Sequence, residues 1–543
     1  MLKFLLPVPN TKPKQPAPSH AMDQRRRTLH SAAARAPLID HTMNPLYTVA
    51  EIRAIEDDAA ARLPAGALMQ RAGQAGANAA LDLLPFTTAQ AKVLVLAGPG
   101  NNGGDALETA AHLAHAGAQV TILHFDTSAA PSEERALAMQ RARSSDAVFA
   151  DIGNAAIAAT DWKLVIDGLF GIGLKRPLAG AMRALVETIN ALRCPVLALD
   201  VPSGLDADTG AVVGPDGVAV RATHTITFIG DKPGLHTCDG RDVAGLVETS
   251  RLDLDAATLR STRLHLNDEK FFARQVRARR QNSNKGSFGN VAIVGGAHGM
   301  GGAPILAGRA ALTSGAGRVF VAFAQDAPAY DPTHPELMCR LAQDFDFDKA
   351  TLVVGPGLGD ATASKAILRR AIDSASALVA DADALNMIAA DTELQQALAA
   401  RAGGSLLTPH PLEAARLLGV SAAEVQADRV AAARKLSRKF NATVVLKGSG
   451  TVIARVDGDA VINTTGNPAL ATAGTGDVLS GLCGSLLAQG WPQWEAALAA
   501  VWLHGMAADV LVTEGSGPIG LTASELIPAI RTALNRMVQY HGR

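Results

Sequence analysis

The stretch Lys92–Phe125, "KVLVLAGPGNNGGDALETAAHLAHAGAQVTILHF", decides the fold class. Its first apolar run reads as a buried strand that ends in a glycine turn. "DALETAAHLAHAG" has helical spacing, and "AQVTILHF" is a second apolar run of strand length. A strand, a tight turn, a helix and another strand form the unit from which parallel sheets covered on both faces are built. Working outward, the same unit recurs. "LYTVAEIRAIE" (46–56) opens a helix, with Thr48 and Glu51 at capping-box spacing. "KLVIDGLFGIG" (163–173) and "CPVLALDVPSG" (194–204) are apolar runs that end in an acid and a glycine turn. The pattern breaks into polar, arginine-rich sequence over 256–280, read as a linker. It restarts with "NVAIVGG", "RVFVAF", "TLVVGPGLG", "ALVADADALN", "SLLTPH" and "TVVLKGSG". The expected fold is α/β, with two parallel-sheet domains in tandem over 44–255 and 281–543.

At 543 residues the chain exceeds what one core usually supports. Its 50 basic and 51 acidic residues give a net charge of −1, so no field draws it to nucleic acid or to a membrane surface. No uninterrupted apolar run is long enough to cross a bilayer. The four cysteines are far apart, without metal-ligand spacing, and read as buried thiols in a reducing compartment, hence the cytoplasm. Residues 1–43, rich in proline and basic residues, read as a disordered or leader extension without a catalytic role.

Ligands of such sheets gather outside the carboxyl ends of the strands, and the acids and glycines of this chain fall there. Gly98, Gly100 and Gly103 fit G-x-G-x-x-G, and Asp126 closes the next strand, as in a dinucleotide fingerprint. A turn that merely needs glycine explains that match equally well. Asn101, Asn102 and Asp105 add donors and acceptors that such a turn does not need. Asp167 and Asp200 close neighbouring strands, with Lys175 and Arg176 beyond the first and Ser203 beyond the second. Asn102, Asp167 and Ser203 offer only oxygen ligands, which suit a weakly charged hard cation better than zinc. Asp200 is the candidate proton carrier.

In the second half "ATAGTGDVLSG" (471–481) leaves one carboxylate, Asp477, at the mouth of a glycine turn before a helix. A helix N-terminus favours anions, phosphate above all. A carboxylate there is poorly placed to bind phosphate and well placed to take a proton beside it. With Lys447 in "VVLKGSGT" (444–451), the pattern points to nucleotide-dependent phosphoryl transfer. The amides of Gly474–Gly476 would face the transferred group, and Asp477 would deprotonate the accepting hydroxyl. A hairpin turn is the alternative for "LKGSG", and a structural histidine the alternative for His410.

"LYTVAEIRAIE", "GPGNNGGD", "DGLFGIGLKRP" and "LALDVPSGLDADTG" together resemble the epimerase domain of the NAD(P)H-hydrate repair enzymes. That resemblance implies a Rossmann-like domain that takes the dinucleotide as substrate. Asn101, Asn102, Gly103, Gly104 and Asp105 would hold the damaged nucleotide together with Gly171, Ile172, Gly173, Leu174, Lys175, Arg176 and Pro177. Asn102, Asp167 and Ser203 would bind K+, and Asp200 would contact the substrate. One departure is Ala106, where a glycine usually follows "NNGGD"; inside a helix the alanine is harmless.

"KGSFGNVAIVGGAHGMGGAPILAGRAALTSGAGRV", "GPGLG", "DADALN", "TPHPLEAARLL", "VVLKGSGT" and "NTTGNPALATAGTGDVLSG" resemble, in order, the ribokinase-like dehydratase domain of the same enzymes. This implies that Ala303, Gly357 and His410 contact a hydrated nicotinamide nucleotide, while Lys447, Gly448, Ser449, Gly450, Thr451 and Gly476 hold ADP. Asp477 would be the base, Mg2+ would accompany the phosphates, and the assembly would be a homo-oligomer. Competing readings are a vitamin-precursor kinase with an extra amino-terminal domain, an ordinary dehydrogenase, and a nucleotide-sensing protein without turnover.

Overall fold

The computed structural model describes residues 44–84, 88–126, 132–255 and 258–542, so the extension read over 1–43 lies outside the described residues. The first sheet contains β1 (Lys92–Ala97), β2 (Gln119–His124), β3 (Val148–Phe149), β4 (Leu164–Gly168), β5 (Val196–Leu199), β6 (His224–Phe228) and β7 (Leu246–Ser250). Its order is β3-β2-β1-β4-β5-β6-β7, and every pairing is parallel. The chain reverses its direction of travel between β1 and β4, which opens a crevice at their carboxyl ends. Val93 to Ala97 are fully buried, as a central strand covered on both faces requires.

The second sheet contains β8 (Leu264–Leu266), β9 (Asn290–Gly295), β10 (Arg318–Phe323), β11 (Met338–Leu341), β12 (Thr351–Val354), β13 (Leu378–Ala380), β14 (Ser405–Leu407), β15 (Thr443–Leu446), β16 (Thr451–Ala454) and β17 (Ala460–Asn463). The order is β11-β10-β9-β12-β13-β14-β15-β16-β17-β8. The first seven in that order are mutually parallel, whereas β15, β16 and β17 form an antiparallel meander.

Three details differ from the sequence reading. The segment read as a linker contains β8, which pairs with β17 and buries Leu264 and His265; a three-residue strand is too short to register as a periodic pattern. Leu46 N donates to Leu264 O at 2.9 Å, so the start of the first half is tied to the edge of the second sheet. Only Cys339 and Cys483 are buried; Cys194 and Cys238 are partly exposed, and all four are free thiols. The helix Gln493–Thr513, with a mean hydropathy of 1.6 in its most apolar window, is long and apolar enough to cross a membrane. Its run Ala496–Ala500 is fully buried against the second sheet, the position of a core helix.

Ala106 is fully buried inside the helix Asn101–His115, as its harmless reading requires. It fits because its neighbour is glycine: a Cβ on Gly168 would stand 2.5 Å from the Ala106 methyl.

Candidate functional sites on the two sheets

In the first half a cavity of about 940 Å3 opens at the carboxyl ends of β1 and β4. Asn101, Asn102, Asp105, Asp200 and the whole run Gly171–Pro177 line it. Gly103 and Gly104 do not. A Cβ on Gly103 would stand 1.8 Å from Gly98 O, and one on Gly104 2.5 Å from Met69 Sδ, so Gly103 lets the helix close onto the strand end and Gly104 onto the helix Ala67–Leu83. Asp126 also lies off the cavity, paired with Arg135 at 3.2 Å. A larger groove, about 1070 Å3, runs over the helices Ala67–Leu83, Asn101–His115 and Glu133–Arg143, far from the strand ends and their acids.

Asp200 follows β5 with φ +66°, a left-handed conformation that an aspartate adopts at some cost. Its Oδ1 accepts from Lys232 Nζ at 2.5 Å. Lys232 follows β6, is fully buried, and also donates to Thr227 Oγ1 at 2.7 Å and to Phe228 O at 2.8 Å. A Cβ on Gly171 would stand 3.2 Å from Asp200 Oδ2, so this carboxylate oxygen faces the glycine loop. Glu56 joins the same wall of the cavity. Burial, and then the charge of Asp200, raise the pKa of both Glu56 and Asp105, that of Asp105 well above the ordinary range.

Beneath the cavity Asp167 is fully buried. Ser203 Oγ donates to its Oδ1 at 2.6 Å, and Ser203 N to its Oδ2 at 2.8 Å. Burial outweighs those bonds and pushes its pKa up to about 6. Asn102 Nδ2 donates to Leu199 O at 3.0 Å, while the buried Asn102 Oδ1 has no protein partner. An orphaned amide oxygen and a buried carboxylate–hydroxyl pair, all at the carboxyl ends of the neighbouring strands β1, β4 and β5, are oxygen donors of a kind that fits a monovalent cation.

In the second half Asp381, after β13, and Lys447, after β15, meet at the first turn of the helix Thr475–Ala488. Lys447 Nζ donates to Asp381 Oδ1 at 2.7 Å. It also lies 3.4 Å from where a Cβ on Gly476 would stand. Burial disfavours the Lys447 ammonium, but Asp381, Glu413 and Asp477 outweigh that and raise its pKa. Burial, and then Asp381, push Asp477 up to about 6. At neutral pH it is therefore a carboxylate that can accept a proton.

His410 caps the helix Pro411–Leu418 through Nδ1, which accepts from Leu412 N at 3.1 Å. Its proton then sits on Nε2, 3.2 Å from Glu413 Oε1. Burial and Lys447 lower its pKa, so the ring is neutral at pH 7. Burial raises Glu413 to about 7. Ala303 and Gly357 meet from separate turns: a Cβ on Gly357, φ +58°, would stand 3.4 Å from that of Ala303.

The run Lys447–Gly450 is the β15–β16 hairpin turn, and Thr451 opens β16. Only Lys447 of this turn is tied to the acid cluster. Ser449 and Gly450 pack on the first half, where Ser449 O accepts from Cys238 N at 3.1 Å.

Residues 65–234 match the family model for the YjeF-related protein N-terminus, and residues 291–531 match that for NAD(P)H-hydrate dehydratase. The chain is 35% identical to the bifunctional NAD(P)H-hydrate repair enzyme of Escherichia coli K12, over 92% of this chain and 97% of that protein. This chain belongs to that family of bifunctional NAD(P)H-hydrate repair enzymes. Over 49% of its length it is also 45% identical to the ADP-dependent (S)-NAD(P)H-hydrate dehydratase of Neisseria meningitidis serogroup B, covering 92% of that protein. The crystal structure of an ADP/ATP-dependent NAD(P)H-hydrate dehydratase from Bacillus subtilis is 30% identical, covers 50% of this chain and 98% of its own, and has a TM-score of 0.45.

Within this repair-enzyme chain, sequence reasoning missed Lys232 and Glu56 in the first site and the role of Asp381 in the second. Asp381 was signalled by "DADALN", an acid at a strand end. Glu56 lies in a helix whose sequence shows only a cap. Lys232, in "IGDKPGL", carries no local signal.

Proposed function

We propose that the chain repairs hydrated nicotinamide nucleotides by two activities, with an epimerase over 44–255 and an ADP-dependent dehydratase over 281–543. The observation that carries this is Asp477 at a helix N-terminus beside the Lys447–Asp381 pair, in a chain whose other half holds Asp200 in a nucleotide-sized cavity. The activities for which its relatives are named support the same reading.

Hydration leaves a hydroxyl beside the ring nitrogen, and hydroxide is a poor leaving group. In the dehydratase, Asp477 takes the proton of that hydroxyl as its oxygen attacks the terminal phosphorus of ADP, and AMP leaves. Lys447 and the helix amides offset the charge that builds on the phosphoryl group. The ring nitrogen then expels phosphate, and loss of a proton from the adjacent ring carbon restores NADH or NADPH. Among the described residues no group of three or more His, Cys, Asp or Glu side chains could hold a metal, so Mg2+ would enter on the nucleotide phosphates. Ala303, Gly357 and His410 would face the hydrated nucleotide, and Lys447, Gly448, Ser449, Gly450, Thr451 and Gly476 the ADP.

The dehydratase would accept the S epimer, and the epimerase supplies it from R. In the cavity Asp200 serves as proton carrier, held in place by Lys232, while Asn101, Asp105 and Gly171–Pro177 hold the nucleotide. The orphaned Asn102 Oδ1, together with Asp167 and Ser203, would hold K+, which would supply positive charge to the site. Four free thiols suit the cytoplasm, and we read the chain as a homo-oligomer.

The test is recovery of reduced-nicotinamide absorbance from mixed-epimer NADH hydrate with ADP and Mg2+. Full recovery by the native chain, partial recovery by Asp200→Asn and none by Asp477→Ala is the expected set. Accumulation of a stable phosphorylated product would instead point to a kinase for a vitamin-type alcohol, which leaves the first cavity unexplained.

A further inference from the structure

The hairpin Lys447–Gly450 does not stand alone. Thr237, fully buried in the first half, donates its hydroxyl to Ser449 O at 3.2 Å and to Gly450 O at 3.1 Å. The same oxygen accepts from Arg429 Nε at 3.2 Å. Arg429 is itself buried. Its guanidinium donates to Leu446 O at 3.1 Å and to Lys447 O at 3.2 Å, and occupies the space a Cβ on Gly448 would need. Cys238 N and Ser449 Oγ add two backbone-directed bonds across the junction, at 3.1 Å and 3.0 Å. One hydroxyl of the epimerase half thus organises both sides of a turn that belongs to the dehydratase half.

We propose that Thr237 is a positioning residue for the dehydratase reaction: through Arg429 and the carbonyls of Ser449 and Gly450 it holds the hairpin that presents Lys447 to ADP. The proposal rests on the reading of Lys447–Thr451 as the ADP loop. A glycine-rich hairpin is mobile unless its carbonyls are held, and a preformed loop loses less freedom when the nucleotide binds. The junction acts on the loop that carries Lys447 and on no group assigned to the hydrate, so the KM for ADP should respond, with kcat affected only through Lys447, and the KM for the hydrate should not.

The test uses the full chain and steady-state dehydration of the S epimer, with ADP varied. Thr237→Val keeps the shape and removes the hydroxyl. The expected result is a roughly five- to tenfold rise in the KM for ADP, with a smaller fall in kcat and the KM for the hydrate unchanged. Thr237→Ser should restore the native value, because it returns the oxygen. Lys447→Ala separates this proposal from the reading beneath it. If Lys447→Ala raises the KM for ADP and Thr237→Val does not, Thr237 is not a positioning residue. If neither moves it, the loop is not the ADP site and both ideas fall. Equal losses in kcat and both KM values would show a general structural role and also overturn the proposal. Should Thr237→Val not fold, Arg429→Lys with ADP titrated calorimetrically asks the same question: weaker binding supports the proposal, and native binding overturns it.

Discussion

Lys232 Nζ lies 2.5 Å from Asp200 Oδ1, and the lysine is wholly shut off from water. A buried ammonium needs a nearby opposite charge, and a proton carrier needs a fixed orientation. The pair meets both needs of the proposed carrier, and its substitution would separate the two proposed activities experimentally.

Lys232→Met should lower epimerisation by about 100-fold or more and leave dehydration of the S epimer intact. Progress curves on mixed epimers would then stop at the S fraction. A full native-rate recovery would rule the lysine out as a positioning group.

Asp200→Asn retains a hydrogen-bonding side chain and tolerates φ +66°, which alanine tolerates less well. The amide leaves the buried Lys232 ammonium without its counter-charge, so this variant should melt below the native chain and lose epimerisation by a similar factor, about 100-fold. Asp200→Ala should lose as much activity and melt lower still, because it adds strain at φ +66°. Native epimerase rates in the asparagine variant would remove Asp200 from the chemistry.

Dehydratase activity should fall as pH drops through about 6, because protonated Asp477 cannot accept the hydroxyl proton. The neighbouring Asp381 charge raises that midpoint, so Asp381→Asn should move the acid limb to lower pH. An unshifted limb would mean that another group sets it.

Replacing K+ by choline should lower the melting temperature of the native chain, since a ligand of the folded state stabilises it by mass action. Asn102→Leu should remove that dependence. A native response to K+ in this variant would move the cation elsewhere.

Gly168→Ala should destabilise the first half by about 1–3 kcal/mol, because the new methyl collides with that of Ala106. Ala106→Gly alone should cost about 1 kcal/mol as a helix glycine. Combined, the two should cost less than their sum. Simple additivity in urea unfolding would show that the contact does not set the effect.

The sequence by itself determined the alternation of strand and helix, the glycine turns at the strand ends, and the acids Asp167, Asp200 and Asp477 that close or follow them. These are local facts: apolar runs make buried strands, and a turn toward a helix needs residues that fit it. It also contained the order of motifs that marks both halves of the family. Tertiary structure alone decided which strand ends became neighbours. Asp200 and Lys232 meet because β5 and β6 pair in parallel, so residues 32 positions apart leave the sheet side by side. The strand β8 was lost in polar sequence because its three residues take their stability from β17 and not from a pattern of their own. "LKGSG" left a nucleotide turn and a hairpin equally open. The fold shapes it as a hairpin, a geometry that serves either reading, and lays it against Thr237, a contact across 212 residues that no local pattern can encode.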